Sequence, residues 1–337
     1  MAGPRFLGLA AIGSVMLGVA APGPGLAASK AAKHNAEILA DYQAFQMKDQ
    51  VLQQVGLKLA RGNAAYCANA PLSIGLTLTD MAGYSRPNDV RSALGLDGDF
   101  AVATAGSLAA DSQTEAYQLA PDLEITAIDG AKINDWPAKK RLDWKRLKRA
   151  HDLVDASLQD NGEVQLQLGS NQNITLYGVP ACATRFELKS GGKKALADGA
   201  RVQLGSEFPG FAYAEDEFAA VVAHELAHNI LEHRKWLDAK GRNRRAVRAT
   251  EREADRLMPW LLANAGYDPR AAVRFMERWG PKHSKGIFRA RTHDGWDERA
   301  EFVAAEAEIV IAHLTASGAA DWPRFFRRDI APLDDEG

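Results

Sequence analysis

Residues 216–233 read DEFAAVVAHELAHNILEH and combine a helical apolar pattern with two histidines four residues apart. Four residues advance a helix by slightly more than one turn, so His224 and His228 project from one face and can bind one metal ion. Glu225 lies beside them, too close in sequence to share ligand geometry with both rings, and its carboxylate is suited to take a proton from water. The apolar neighbours that predict a buried, rigid helix are Phe218, Val221, Val222, Leu226 and Ile230.

A second acidic segment predicts the third metal ligand. Residues 250–256 read TEREADR, in which Glu251 and Asp255 share one helix face and Glu253 points to the other side. A catalytic metal site takes three protein ligands, so we assign Glu251 as ligand and Asp255 as acceptor for a ligand histidine N–H. Ala254, small and near that face, lets this helix approach the first. The alternative is that both carboxylates pair with arginines on a solvated helix face.

The pair HELAH and EREAD resembles the gluzincin metallopeptidases of the HtpX, CaaX prenyl endopeptidase and BepA family, which carry HExxH followed by ExxAD. Residues 266–279, GYDPRAAVRFMERW, are similar to the helix that follows the third ligand in that family. The resemblance covers residues 185–315 well and the N-terminal helix loosely. It implies an α+β fold, namely a mainly helical zincin-type metallopeptidase domain with a short β-sheet edge. It also implies Zn²⁺ at His224, His228 and Glu251.

The same resemblance suggests two further site residues and a substrate strand. Residues 291–300, RTHDGWDERA, are similar to the family's Thr-His-Pro plus Glu-Arg segment. The resemblance implies that His293 approaches the metal and stabilises the oxyanion or caps the site, and that Arg299 orders the pocket. Asp294 replaces the usual proline, so the alternative for His293 is a surface histidine. Residues 194–197, Lys-Ala-Leu-Ala, stand where Asn-Ala-x-Ala is common, and we expect this edge strand to pair with substrate backbone.

The middle of the chain differs in pattern, with short apolar runs and many Gly, Asp and Ser. It resembles a PDZ-like domain, above all in PDLEITAIDG, residues 121–130, which is similar to a strand and turn of that fold. We therefore expect a small PDZ-like α+β insertion at 86–180, within a metallopeptidase domain made of 29–85 and 181–330. An unspecialised α+β insertion is the alternative.

The first residues predict an export signal. Arg5 precedes an apolar run over residues 6–21, followed by small residues, so residues 1–28 match a signal peptide cleaved just after Ala27 or Ala28. A membrane anchor is the alternative, but the run is shorter than the roughly 18 apolar residues that a span needs. We expect a secreted protein of the bacterial periplasm, with no transmembrane span in the mature chain.

The only two cysteines are Cys67 and Cys182. In an oxidising compartment two lone thiols tend to pair, so we predict a disulfide that links the two ends of the insertion. Two buried free thiols are the alternative.

Two patterns near the N-terminus predict regular structure. Apolar residues at helical spacing indicate an amphipathic helix over 36–60, ended by Gly62 and Asn63. Strict alternation over 72–79 indicates a half-buried strand.

Composition limits the partners. The chain has 337 residues, is 46% hydrophobic and carries a formal net charge of −2, which argues against disorder and against a global attraction to nucleic acid. Basic residues do cluster between the two predicted metal helices, either as a solvated lid or as a peripheral contact with anionic lipid or an acidic partner. They are Arg234, Lys235, Lys240, Arg242, Arg244, Arg245 and Arg248.

The function expected from these features is a zinc-dependent endopeptidase that hydrolyses protein or peptide substrates, with unfolded or misassembled envelope proteins as targets. Glu225 would be its general base. The alternative is a chaperone-like or peptide-binding envelope factor with a latent zinc site, in which the PDZ-like insertion binds the partner. A purely structural zinc is a third reading, and it would need a fourth protein ligand.

Overall fold

The computed structural model describes residues 24–104, 119–140, 142–283 and 295–331. Over these residues the chain is α+β, with most of its regular structure in helices, and the zincin-type and PDZ-like folds stay predictions. The helices are α1 (Pro24–Gly62), α2 (Pro87–Leu94), α3 (Trp144–Asn161), α4 (Glu215–Ile230), α5 (His233–Lys240), α6 (Arg244–Asn264), α7 (Ala271–His283), α8 (Trp296–Ser317) and α9 (Trp322–Phe325).

The strands are short and form small sheets. They pair in the orders β1-β8, β2-β3, β10-β11-β9 and β5-β4-β6-β7. Their bounds are β1 (Leu72–Ser73), β2 (Thr77–Asp80), β3 (Phe100–Thr104), β4 (Ile125–Ile128), β5 (Ala131–Lys132), β6 (Glu163–Leu168), β7 (Asn173–Tyr177), β8 (Val179–Pro180), β9 (Arg185–Lys189), β10 (Ala195–Ala197) and β11 (Arg201–Gly205).

The first hydrophobic core surrounds α4, which packs most extensively against α6. Phe218, Val222 and Leu226 of α4 are fully buried in it. Ala254 of α6 is also fully buried, and its small side chain leaves room for the two helices to approach closely. Helices α1, α7 and α8 complete the core. The helix with the paired histidines is therefore held by packed side chains of α1, α6, α7 and α8.

A three-stranded sheet borders this core. β11 pairs antiparallel with β10, with Leu196 opposite Gln203, and parallel with β9. Val202 and Leu204 of β11 are fully buried, whereas Leu196 of β10 is exposed. β10 lies at the edge of the sheet, packs beside α4, and has no second partner among the described strands.

A second hydrophobic core lies between the β5-β4-β6-β7 sheet and α3. Three of its residues, Ile74, Leu76 and Leu78, precede the segment 86–180, whose status as a separate insertion stays a prediction. Beside this core Arg146 bridges two carboxylates, with Nη2 at 2.7 Å from Asp99 and Nε at 2.8 Å from Asp80.

The disulfide between Cys67 and Cys182 is present, as predicted, with Cα atoms 5.6 Å apart. It lies beside the antiparallel β1-β8 pair, and the Cys182 N–H donates to Ala60 O at 3.0 Å. The bond therefore links the chain entering the second core to the chain leaving it.

Two elements differ in extent from their predictions. The N-terminal helix extends beyond 36–60 at its N-terminal end, beginning at Pro24. The strand predicted over 72–79 is divided into β1 and β2, because Gly75 adopts a left-handed φ of 63° that ends the extended backbone. None of the helices that the structure describes is long and apolar enough to cross a membrane.

Candidate metal centre

The candidate metal centre lies where α4 and α6 face each other. His224 and His228 project from α4, and Glu251 projects from α6. The Nε2 atoms of the two histidines are 3.2 Å apart, and the two oxygens of Glu251 lie 3.5 Å from one of them each, Oε2 from His224 and Oε1 from His228. These three side chains could hold a metal ion. The structure therefore brings the predicted ligand set together.

The charges around this group favour a cation between its members. Burial lowers the pKa of His228 to about 3, so this ring is neutral. Burial acts in the same direction on His224, but the nearby carboxylates of Asp255 and Glu251 outweigh it and raise the pKa of His224 to about 10. The two carboxylates thus hold positive charge beside the ligand atoms.

Glu225 lines the cavity beside the metal group. Its carboxylate accepts a hydrogen bond from the backbone N–H of Ala197, in the edge strand β10. Burial raises the pKa of Glu225 to about 7, with nearby His224 and the Ala197 hydrogen bond opposing the rise and Glu251 adding to it. The side chain predicted as general base is therefore held by the same strand that we expect to meet substrate.

Asp255 lies on the far side of His224 from Glu251. Its Oδ1 is 3.0 Å from His224 Nδ1, which meets the distance of a hydrogen bond, although the ring N–H is not well aligned with the oxygen. Asp255 is fully buried and accepts two hydrogen bonds from Arg299, of 2.6 and 2.7 Å. Both predicted supporting residues therefore reach His224, Asp255 directly and Arg299 through Asp255.

Sequence reasoning missed a second supporting group, formed by His233 and Glu253. Glu232, between α4 and α5, adopts a left-handed conformation with φ 55°, and the chain turns there so that His233 Nδ1 lies 2.8 Å from His228 Nδ1. His233 Nε2 lies 3.1 Å from Glu253, which does point away from Glu251 as expected. Two signals were available in the sequence. They are His233, five residues after the HExxH motif, and Glu253, a further acidic residue in the helix that carries Glu251.

The metal group opens onto a cavity of about 880 Å³ bordered by β10, α4, α6, α7 and the start of α8. Phe208, Phe275 and Trp279 give it an aromatic wall. Three residues of the predicted basic cluster also line it, namely Arg234, Arg242 and Arg248. His293 and Asp294 lie outside the described residues.

No protein-family model, no curated protein and no solved structure matches this chain.

Proposed function

We propose that this chain is a zinc-dependent endopeptidase that acts on unfolded or misassembled proteins in the bacterial periplasm. The observation that carries the proposal is the triangle formed by His224, His228 and Glu251. Two ligands of one tetrahedral zinc, each bonded at about 2.0–2.1 Å, lie about 3.3 Å apart. The two Nε2 atoms lie 3.2 Å apart, and each lies 3.5 Å from one oxygen of Glu251, Oε2 for His224 and Oε1 for His228. Two imidazoles and a carboxylate are also a donor set that suits zinc.

The open side of the group favours a catalytic metal over a structural one. In the described part of the chain no fourth histidine, cysteine or carboxylate completes the group, and it borders the cavity. Structural zinc sites are closed by four protein ligands, whereas catalytic sites keep one position for water or substrate. A zinc ion held here would act as a Lewis acid on the scissile carbonyl and would lower the pKa of water.

Glu225 is the residue best placed to move protons. Its carboxylate faces the cavity beside the ligands, and α4 and the Ala197 N–H fix its position. There it would take a proton from the attacking water and deliver it to the leaving amide nitrogen.

The edge strand β10 supplies a binding surface for a peptide. It runs beside α4 at the metal group, and its outer edge has no partner in the described sheets. An extended peptide can add to such an edge through main-chain hydrogen bonds, which recognise backbone more than side chains. This supports protein substrates in a locally unfolded state.

The disulfide supports the cellular location. Disulfides persist in oxidising compartments, which in a bacterium means the periplasm or the exterior. The predicted signal peptide at residues 1–28 indicates the same location.

The test replaces Glu225 by Gln, which keeps the size of the side chain but removes its basicity. We expect the variant to bind zinc, measured by elemental analysis, and to cleave casein at least about 100-fold more slowly than the wild type. Glu277→Gln, at an exposed position on α7, is the matched control and should cleave normally. Undiminished cleavage by zinc-loaded Glu225→Gln would refute the mechanism. A zinc-loaded wild type that binds unfolded casein without cutting it would support the chaperone-like alternative.

A further inference from the structure

The second supporting group of the metal centre is a chain of buried hydrogen bonds that begins at His228. His228 Nδ1 and His233 Nδ1 are 2.8 Å apart, and His233 Nε2 lies 3.1 Å from a carboxylate oxygen of Glu253. His233 is 1% exposed and Glu253 is fully buried, so water does not complete these contacts. Each group must therefore be satisfied by its neighbours in the chain.

At the far end of this hydrogen-bond chain the direction of the bonds is fixed, because Glu253 meets donors alone there. Arg328 donates to Glu253 from Nε at 3.1 Å and from Nη2 at 2.8 Å. The backbone N–H groups of Asp329 and Ile330 donate to the other carboxylate oxygen at 2.6 and 2.9 Å. None of these four groups can accept a hydrogen bond. With these four donors, two of them from the cationic guanidinium of Arg328, Glu253 is held as an ionised carboxylate that only accepts.

The direction of the hydrogen bond at Glu253 determines which ring nitrogen carries the proton in His233 and then in His228. Because Glu253 accepts, His233 must donate from Nε2, and its Nδ1 then carries a lone pair in the neutral ring. His228 must in turn donate from Nδ1 to that lone pair. The Nε2 of His228 is then left without a proton and faces Glu251 and His224, which is the form that binds a metal ion.

We propose that His233 and Glu253 are positioning residues that fix His228 in its metal-binding tautomer, and that the C-terminal segment 328–330 is thereby part of the metal centre. The inference rests on the proposed metal centre, although its test reads proton positions and metal affinity instead of cleavage. It gives the segment after α9 a role that neither the HExxH nor the ExxAD motif contains.

The two ligand histidines are thus supported in the same way by different parts of the chain. His224 faces a carboxylate clamped by Arg299, and His228 reaches a carboxylate clamped by Arg328 through one intervening ring. Partners of this kind orient a ligand ring and raise its basicity, and their loss typically weakens metal binding by about 10–100-fold.

Glu253→Gln should reverse the donor and acceptor roles along these hydrogen bonds. The side-chain oxygen of Gln would face the backbone N–H groups of Asp329 and Ile330, which leaves its NH₂ group facing His233 Nε2 and the guanidinium of Arg328, which must turn away. His233 would then accept at Nε2 and donate from Nδ1, so His228 would hold its proton on Nε2, within the metal group. We expect zinc affinity, measured by competition with a chromophoric chelator, to fall by about 10–100-fold. His233→Phe should weaken binding to a similar extent.

Glu306→Gln is the matched control. Glu306 is a buried carboxylate that accepts from Arg256 at 2.9 Å and from Trp260 at 2.8 Å, with no contact to a metal ligand. We expect it to lower stability while leaving zinc affinity within about twofold of the wild type. If folded Glu253→Gln and His233→Phe bind zinc as tightly as Glu306→Gln, the proposal is overturned.

A measurement on the wild-type chain keeps the proposal testable even where a variant does not fold. Long-range ¹H–¹⁵N NMR of the metal-free protein reports which ring nitrogen carries the proton. A proton on Nδ1 of His228 supports the proposal, and a proton on Nε2 contradicts it. A wild type that shows the Nδ1 proton but binds no zinc supports the hydrogen-bond order and counts against the proposed function alone.

Discussion

Arg299 donates two parallel hydrogen bonds to Asp255, from Nε at 2.6 Å and from Nη2 at 2.7 Å. Asp255 is fully buried, and the cationic Arg299 beside it, together with His224, holds the pKa of its carboxyl below the usual value despite the burial that would raise it. An ionised carboxylate is thereby kept next to a ligand histidine. The orientation of His224 therefore depends on Arg299, which acts on it through Asp255.

Replacing Arg299 by Lys should weaken metal binding. Lysine is a point charge and cannot reproduce the bidentate contact, so Asp255 loses its fixed orientation and so does His224. We expect zinc affinity to fall by about tenfold, measured by chelator competition. Arg270→Lys is the control, since Arg270 makes the same two-bond contact with exposed Glu308 and should not alter affinity. Equal affinities for the two variants would contradict the role given to Arg299.

Removing the disulfide should destabilise the chain without altering the metal ligands. Cys67 and Cys182 are 115 residues apart in sequence, so the bond strongly restricts the unfolded chain. We expect a Cys67→Ser, Cys182→Ser double variant to lose about 2–5 kcal/mol of unfolding free energy, measured by urea titration. An unchanged denaturation midpoint would show that the bond contributes nothing to stability.

Acid should destabilise the second core through His151. Its Nε2 accepts a hydrogen bond from the Leu78 N–H at 3.0 Å. Burial, assisted by Arg185 and opposed by Asp152 and Asp155, lowers the pKa of His151 to about 4.

The unfolded chain therefore binds a proton at this histidine near pH 6.5, whereas the folded chain stays neutral until about pH 4. Stability from this residue is fully present above pH 6.5 and declines as the pH falls toward 4, by about 1–3 kcal/mol. Chemical denaturation at several pH values measures the slope. His151→Gln, which keeps an acceptor but does not titrate, should flatten it, and an identical slope in the variant would exclude His151 as the cause.

Gly56→Ala tests the contact between α1 and β9. A Cβ atom at residue 56 would lie 2.5 Å from Cγ of Phe186, an atom close to the backbone that cannot move away easily. Although alanine favours a helix, we expect a net loss of about 1–3 kcal/mol from overpacking. Gly83→Ala, where a Cβ meets nothing within 4 Å, is the control and should change stability by less than about 0.5 kcal/mol. Comparable thermal shifts in the two variants would argue against the clash.

The sequence was informative where geometry depends on spacing within one helix. His224 and His228 share a face because they are four residues apart, and Glu251 and Asp255 share one for the same reason. The disulfide could also be predicted, because Cys67 and Cys182 are the only cysteines. The approach of α6 to α4 followed from the small side chain of Ala254.

Other features depend on contacts that no local pattern encodes. His233 turns back toward His228 only because Glu232 takes a left-handed conformation, and Glu253 is fixed by residues about 75 positions later, at 328–330. The predicted strand over 72–79 was interrupted by a glycine conformation that alternation of side chains does not reveal. The second core includes Ile74, Leu76 and Leu78 through tertiary packing, although they precede the change in composition near residue 86.

The position of β10 at the sheet edge has a consequence for how the proposed enzyme would choose its targets. A strand edge pairs only with extended backbone whose N–H and C=O groups are available. Helices and paired strands therefore cannot bind there, whatever their sequence. For a folded protein the rate of cutting would then follow the fraction of time that a segment spends open. Such an enzyme would distinguish its substrates by how often they unfold locally, and a stable protein would be protected by its stability alone.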